Sequence, residues 1–210
     1  MNTEPPWLRW ARDLQALAQS GLAFSPNVFD RERFEAVRMI AAAMMAAGSG
    51  APQTMIEDLF AGQTGYATPK IDVRGAAFDD RGRILMVRET LDHGRWTLPG
   101  GWADVNLTPA ENAAKEMVEE SGFTVAVTKL AAVWDRSAQG HPGGPFSCAK
   151  FFFLCDITGG EATTSIETSE IGFFAEHDLP EDVSLGRVLP AQLRRMFAHH
   201  KNRALPTDFE

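Results

Sequence analysis

Three carboxylates, Glu116, Glu119 and Glu120, recur at i, i+3 and i+4 in a stretch that also carries a glycine corner and two helix-end signals. Residues 98–123 read Leu-Pro-Gly-Gly-Trp-Ala-Asp-Val-Asn-Leu-Thr-Pro-Ala-Glu-Asn-Ala-Ala-Lys-Glu-Met-Val-Glu-Glu-Ser-Gly-Phe. On a helix the three acids fall within an arc of roughly 100°. At about 6 Å each pair repels by about 0.7 kcal/mol in water and nearer 3 kcal/mol at an effective dielectric of 20. A divalent cation converts that repulsion into a binding site, because hard cations take oxygen ligands. An acidic helix face by itself is ordinarily a solvated one. Here it follows, at fixed distance, a Pro99-Gly100-Gly101 turn where backbone can approach a ligand closely.

Local chemistry fixes both ends of this helix. Thr108 suits the N-cap, Pro109 the first helical position, and Glu111 completes a capping box. Gly122 stands where a left-handed residue is wanted. Ala110, Ala113, Ala114, Met117 and Ser121 share a face that predicts packing. Leu107 precedes the cap, but the residue it would staple, Asn112, is polar, so this pattern supplies no structural reason for a leucine there.

Other elements must position this helix. Trp7, Leu8, Trp10, Ala11, Leu14, Leu17 and Ala18 recur at helical spacing, with Gly21 as a stop. A second helix is predicted from Asp30 to about Ala47. Its Ala- and Met-rich second half suits close packing on a second subunit, and Gly48-Ser49-Gly50 ends it. A third covers Thr54 to Phe60. From Tyr66 the pattern changes: Ile71 and Val73 alternate with Asp72 and Arg74 at strand spacing. A turn at Asp79-Asp80-Arg81-Gly82 leads into a strand at 84–87 and an extended run at 96–102. After the 109–121 helix come strands at 124–134, 147–157 and 169–174, then a helix at 189–200. This order predicts an α/β domain with a mixed sheet and flanking helices over residues 66–210, preceded by a helical domain over 1–65.

The 210-residue chain is 44% hydrophobic and 23% charged, with a net charge of −8 and a pI near 5.2. That balance disfavours long nucleic acid, whose affinity rests on cationic side chains. A small anion stays admissible, since a metal ion can reverse the sign of one pocket. The apolar run Met39–Ala47 is too short to span a membrane. The Met-Asn-Thr-Glu-Pro-Pro opening has no basic region ahead of an apolar one, which predicts no secretory signal. Cys148 and Cys155, an odd number of residues apart on one strand, point to opposite faces and are expected as buried, reduced thiols of a cytoplasmic protein.

Gly101, Glu116, Met117, Glu119, Glu120, Gly122 and Phe123 fall in register with the pattern Gly-x5-Glu-x7-Arg-Glu-U-x-Glu-Glu-x-Gly-U, where U is bulky and apolar. The stretch resembles the box of the Nudix hydrolase family. The opening Trp-Leu-x-Trp-Ala-Arg-Asp-Leu-Gln-Ala, Gly-Tyr-Ala-Thr-Pro-Lys at 65–70 and Gly-Arg-Val-Leu-Pro at 186–190 look like one Nudix subgroup, which joins an N-terminal helical domain to the Nudix fold and includes CDP-choline pyrophosphatases. The resemblance implies a Nudix α/β/α sandwich behind a helical domain that serves dimerisation or caps the substrate. It also implies metal-dependent hydrolysis of the diphosphate bond in a small nucleoside diphosphate derivative, of CDP-choline or ADP-ribose type, with release of a nucleoside monophosphate.

The same resemblance makes Mg²⁺ the expected cofactor, with Mn²⁺ as the alternative. It makes Glu116, Glu119 and Glu120 the metal ligands, with Glu116 a candidate to assist deprotonation of the attacking water. Gly100 resembles the position whose carbonyl completes the metal shell. Arg88 looks like a phosphate contact, and Gly101 and Glu170 complete the expected substrate-binding set, Glu170 standing where some members place an acid outside the box. Asp104, in the loop, is a candidate of the same standing as Glu170. Trp102 and Trp134 are read as buried packing, and His199 and His200 as helix-end cations rather than metal ligands. Leu107 stands where the family has Glu, and Lys115 where it has Arg. Lysine keeps the sign but cannot make a bidentate contact, so a working but slowed catalyst is expected. A catalytically weak nucleotide-binding sensor is the alternative. The acidic balance disfavours an RNA 5′-end pyrophosphohydrolase. A homodimer built on the N-terminal helices, with no membrane partner, completes the reading.

Overall fold

The computed structural model describes residues 4–210; the first three residues of the Met-Asn-Thr-Glu-Pro-Pro opening, on which the secretory reading partly rests, lie outside the described residues. The chain forms two compact units. The first runs to Lys70 and takes in Pro142–Ser147; the second comprises Ile71–His141 and Cys148–Glu210.

The first unit is built from α1 (Pro6–Phe24), α2 (Val28–Ser49) and α3 (Gln53–Ala61). Gly21 does not stop α1. The helix runs on to Phe24 and ends where Ser25, extended ahead of Pro26, cannot stay helical. Gly21 is instead a packing residue: a Cβ there would lie 2.4 Å from the Phe34 ring, so glycine is what lets α1 and α2 approach. Asn27 caps α2 by accepting from the Phe29 and Asp30 N–H groups, at 2.9 and 3.3 Å. Gly50, left-handed at φ 75°, ends it. The Ala/Met half of α2 does not face outward as expected. Ala41, Ala42, Met45 and Ala46 are buried with Leu8, Ala11, Ile56 and Phe60 in this unit's own core. The residues facing water are larger: Trp10, Leu17 and Phe24, each seven positions from the next, form a stripe along α1, with Phe29 and Ile40 exposed on α2.

The second unit holds β1 (Lys70–Ala77), β2 (Ile84–Glu89), β3 (Arg95–Thr97), α4 (Pro109–Ser121), β4 (Phe123–Asp135), β5 (Cys148–Gly160), β6 (Thr168–Phe174) and α5 (Pro190–Lys201). Two three-stranded sheets form, in the orders β1–β5–β4 and β3–β2–β6. Antiparallel ladders join β2 to β3 and β6, and β4 to β5, while single parallel bridges link Trp96 to Val183 and Ala132 to Asp208. Two cores result. Ala113 and Met117 of α4 pack with Val73, Ala77, Leu85, Phe153 and Cys155; Leu193, Met196 and Phe197 of α5 pack with Ile84, Met86, Leu98 and Phe152. Helices therefore cover the sheets in an α/β/α sandwich.

Several side chains depart from expectation. Alternation at strand spacing would put Asp72 and Arg74 on a polar face of β1, yet both are buried, with Asp72 accepting from Arg74 and from Lys150. Trp134 is buried against Phe152, as expected, but Trp102 is 59% exposed. His199 is buried and its Nε2 lies 3.2 Å from Asp208. His200 stacks on Phe78 at 3.9 Å, and burial lowers its pKa, which speaks against a helix-end cation at that residue. Cys148 and Cys155 are both buried and unpaired. Among the described residues no helix is long and apolar enough to cross a membrane.

Candidate active site

The box helix is held by its own ends and by one buried amide. Thr108 Oγ1 accepts from the Glu111 N–H at 3.2 Å, and Glu111 Oε2 accepts from the Thr108 N–H at 2.8 Å, so the capping box is closed. Gly122 is left-handed (φ 75°), and a Cβ there would sit 2.4 Å from the Glu161 carbonyl. Asn112, polar where a staple would be apolar, is buried. Its Oδ1 accepts from the Asp104 N–H at 2.9 Å, and its Nδ2 donates to the carbonyls of Asp104 and Thr108, each at 3.2 Å. It thereby ties the loop between corner and helix to the helix itself.

The glycine corner lies against β1. Gly75 N–H donates to the Pro99 carbonyl and Val73 N–H to the Gly101 carbonyl, both at 2.9 Å. Gly100 has φ 144°, and a Cβ there would fall 2.0 Å from the Val73 carbonyl oxygen, so no other residue fits. Two of the three acids meet this corner. Glu120 is buried, and its Oε2 accepts from the Gly100 N–H at 2.9 Å. Burial pushes its pKa up to about 7, with Glu116 and Glu89 adding repulsion against the opposing pull of Arg74. Glu116 is half-buried, with Oε1 3.1 Å from the place a Gly101 Cβ would occupy, and burial raises its pKa as well.

Glu119 behaves differently. It is exposed, and its Oε2 accepts from Lys115 Nζ at 2.8 Å; the same Nζ lies 3.1 Å from Asp104 Oδ2. Its partners, Glu119 first, raise the lysine's pKa. Among the described residues no three Asp, Glu, His or Cys side chains converge closely enough to hold a metal ion. The arrangement is thus two acids at the corner and a third turned to the box lysine.

Arg88 and Glu170 face each other across the β2–β6 ladder. Arg88 Nη1 donates to Glu170 Oε2 at 3.0 Å and Nη2 to Asp182 Oδ2 at 3.2 Å, with the guanidinium 5.7 Å from the Trp96 ring. The structure brings these two predicted substrate contacts to one another. Three residues escaped the sequence reading. Glu89, next to Arg88, is buried at the end of β2, where Arg187 Nε lies 3.4 Å from its Oε2, and its charge bears on Glu120. Glu167 bears on Glu116, and Arg74 on both. The Val87-Arg88-Glu89 run at a strand end offered a signal for Glu89, because adjacent strand residues point to opposite faces. Nothing local marked Glu167.

Residues 68–192 match the model for the NUDIX domain. The chain belongs to the Nudix hydrolase family. Residues 5–60 of this Nudix hydrolase match a second model, described as a UDP-X-like, N-terminal oligomerisation domain. The enzyme is 44% identical over 197 residues, 94% of its length and 93% of the relative's, to YjhB of Bacillus subtilis (strain 168), a protein named provisionally as an ADP-ribose pyrophosphatase. Among solved structures it resembles an ADP-ribose pyrophosphatase of Streptococcus suis 89-1591 (36% identity, TM-score 0.61), covering 68% of this chain and all of that one. It also resembles a UDP-X diphosphatase (29% identity, TM-score 0.61), covering 97% of each chain.

Proposed function

We propose that this Nudix hydrolase uses Mg²⁺, or Mn²⁺ in its place, to cleave the diphosphate bridge of a small nucleoside diphosphate derivative of ADP-ribose or CDP-choline type, releasing a nucleoside monophosphate. The observation that carries the reading is the pair Glu116 and Glu120, desolvated beside a corner that only glycine can make. The names of the relatives and solved neighbours favour ADP-ribose or a UDP-linked compound as the first substrates to try.

The donor set suits a hard cation. Its atoms are carboxylate and carbonyl oxygens, and burial disfavours charge on two acids that a cation would compensate. Glu116, Glu119, Glu120 and the Gly100 carbonyl would hold the ion, with Glu119, exposed and free to change rotamer, first leaving Lys115. When bound, such an ion supplies a water of lowered pKa and neutralises charge on the diphosphate. The chain's own residues do the rest. Glu120 fixes the Gly100 peptide through its N–H, and Glu116 accepts a proton at the mouth of the corner. Arg88 swings from Glu170 and Asp182 to a phosphate oxygen, and Glu170 takes its place at the substrate's edge. Lys115 steadies Glu119 as a point charge.

In this reading residues 1–65 pair two copies and cap the substrate, while 66–210 carry the chemistry. The exposed Trp10, Leu17 and Phe24 stripe and the match to an oligomerisation domain support a homodimer. The two unpaired buried thiols support a reducing, cytoplasmic setting. The hold of Lys115 on Glu119 favours a second reading, a weak catalyst that senses the nucleotide. The deciding experiment is a panel of ADP-ribose, CDP-choline and UDP-sugars with Mg²⁺, products read by mass. A nucleoside monophosphate from at least one of them, abolished in Glu116→Gln, is the expected result. Tight binding without product would transfer the case to the sensor.

A further inference from the structure

Behind the glycine corner sits a buried group of charges that the box pattern does not contain. Arg74 forks onto Asp72, with Nε 3.0 Å from Oδ1 and Nη2 2.6 Å from Oδ2, and its Nη1 donates to the Leu98 carbonyl at 3.2 Å. Lys150, from β5, donates to Asp72 Oδ1 at 2.5 Å. All three side chains are nine-tenths buried or more. Two cations share one carboxylate, so the group carries a net positive charge, which a low-dielectric interior tolerates only beside a further anion. After Asp72, Glu120 is the acid whose charge acts most strongly on Arg74, ahead of Glu116. It is buried too, and it binds the N–H of Gly100, two residues beyond the Leu98 carbonyl that Arg74 holds. The backbone agrees, since a Cβ on Gly100 would lie 2.9 Å from the Arg74 Cα.

Lys115 does not fill this role. Its ammonium is committed to Glu119 and Asp104, at 2.8 and 3.1 Å, on the exposed side of the helix. We propose that Arg74, anchored by Asp72 and Lys150, is the positioning residue for Glu120: its fork fixes Leu98 and the corner behind it, and so the Gly100 N–H that the carboxylate clasps. The proposal rests on reading α4 as a metal-binding helix. A planar fork matters because one group must satisfy Asp72 along one edge and Leu98 along another, which an ammonium cannot do in fixed directions.

The test uses Mn²⁺ alone as probe, with free ion read by electron paramagnetic resonance on the full chain, beside steady-state kinetics. Arg74→Lys keeps the charge and removes the fork, so its effect reads geometry rather than attraction or repulsion of the ion. We expect Mn²⁺ affinity to fall about tenfold and kcat to fall with it, KM changing less than twofold. We also expect Arg74→Lys to add nothing to Glu120→Gln, because the arginine acts through that acid. Unchanged Mn²⁺ affinity in folded Arg74→Lys, or losses that add in the double variant, would overturn the proposal. If Arg74→Lys does not fold, Asp72→Glu shifts the anchor at constant charge; a loss of Mn²⁺ affinity supports the proposal and no loss defeats it. Failure of the underlying metal reading looks different: the parent protein, and not a variant, then binds no Mn²⁺.

Discussion

Both units bury an apolar core, but they differ in which apolar rows they leave outside and in which charges they hide. The helical unit buries Leu8, Ala41, Met45 and Phe60 and turns Trp10, Leu17 and Phe24 toward water at 57%, 63% and 68% exposure. The Nudix unit buries Asp72, Arg74, Glu89, Glu120, His141 and Lys150. Exposed apolar rows are kept where another surface covers them, and buried charges where they are paired or put to use. The contrast divides the labour: one unit acts through what it leaves outside, the other through what it hides.

The largest test of that division removes a hidden charge. Glu120→Gln is expected to lower turnover about a thousandfold, roughly 4 kcal/mol in the barrier, with assembly by light scattering unchanged. A loss under tenfold would take Glu120 out of the chemistry. Next in size is acid sensitivity. All five histidines lie beyond residue 70, outside the helical unit. His141 Nδ1 donates to the Leu185 carbonyl at 2.8 Å, its Nε2 is buried without a partner among the described residues, and burial pushes its pKa down to about 4. The folded value lies below the unfolded value near 6.5, so the stabilisation is complete above pH 6.5 and drains away as pH falls toward 4. Over that window it amounts to about 3 kcal/mol. Urea midpoints at pH 4.5 and 7.5 should therefore differ less in His141→Gln than in the parent. An equal difference in both would place the acid-labile group elsewhere.

How legible this was from the sequence follows the range of the forces involved. The box helix could be read nearly to the residue, because Thr108, Pro109, Glu111 and Gly122 act within one turn of where they stand. Gly21 could not: its glycine is demanded by Phe34, thirteen residues on, and periodicity within α1 carries no trace of that ring. Asp72 and Arg74 mimicked the outward face of an ordinary strand, since alternation does not distinguish a solvated charge from one paired inside. The three acids shared a helical arc as predicted, yet the arc did not say that Glu119 turns to Lys115 while Glu120 turns to Gly100. Asn112 was discounted as a failed staple, because its partners are loop carbonyls fixed only once the chain has folded.

The outward face of the helical unit gives a smaller effect. Leu17→Glu puts a charge in the middle of the α1 stripe without touching the buried set. Association of two copies is expected to weaken about thirtyfold, near 2 kcal/mol, with the melting of the Nudix unit unmoved. Unchanged assembly would assign pairing to another surface.

The smallest effect bears most on what kind of Nudix protein this is. Lys115→Arg with Leu107→Glu restores both box positions at which this chain departs from the family pattern. Lys115 now serves Glu119 and Asp104 as a point charge, and Leu107 is exposed, so neither change disturbs a buried contact. An arginine fork can hold Glu119 while reaching a second acid, and a glutamate at 107 supplies one near the helix start, where the dipole favours it. If the parent is a working hydrolase, the gain is limited to steadier carboxylates. Turnover should then rise about three- to tenfold, at most about 1.4 kcal/mol, with nucleotide affinity unchanged. A rise beyond a hundredfold at equal affinity would mean that the parent box is tuned to hold its ligand rather than to cut it. The hidden charges of the second unit would then serve recognition, and the division of labour between the units would have to be redrawn around binding.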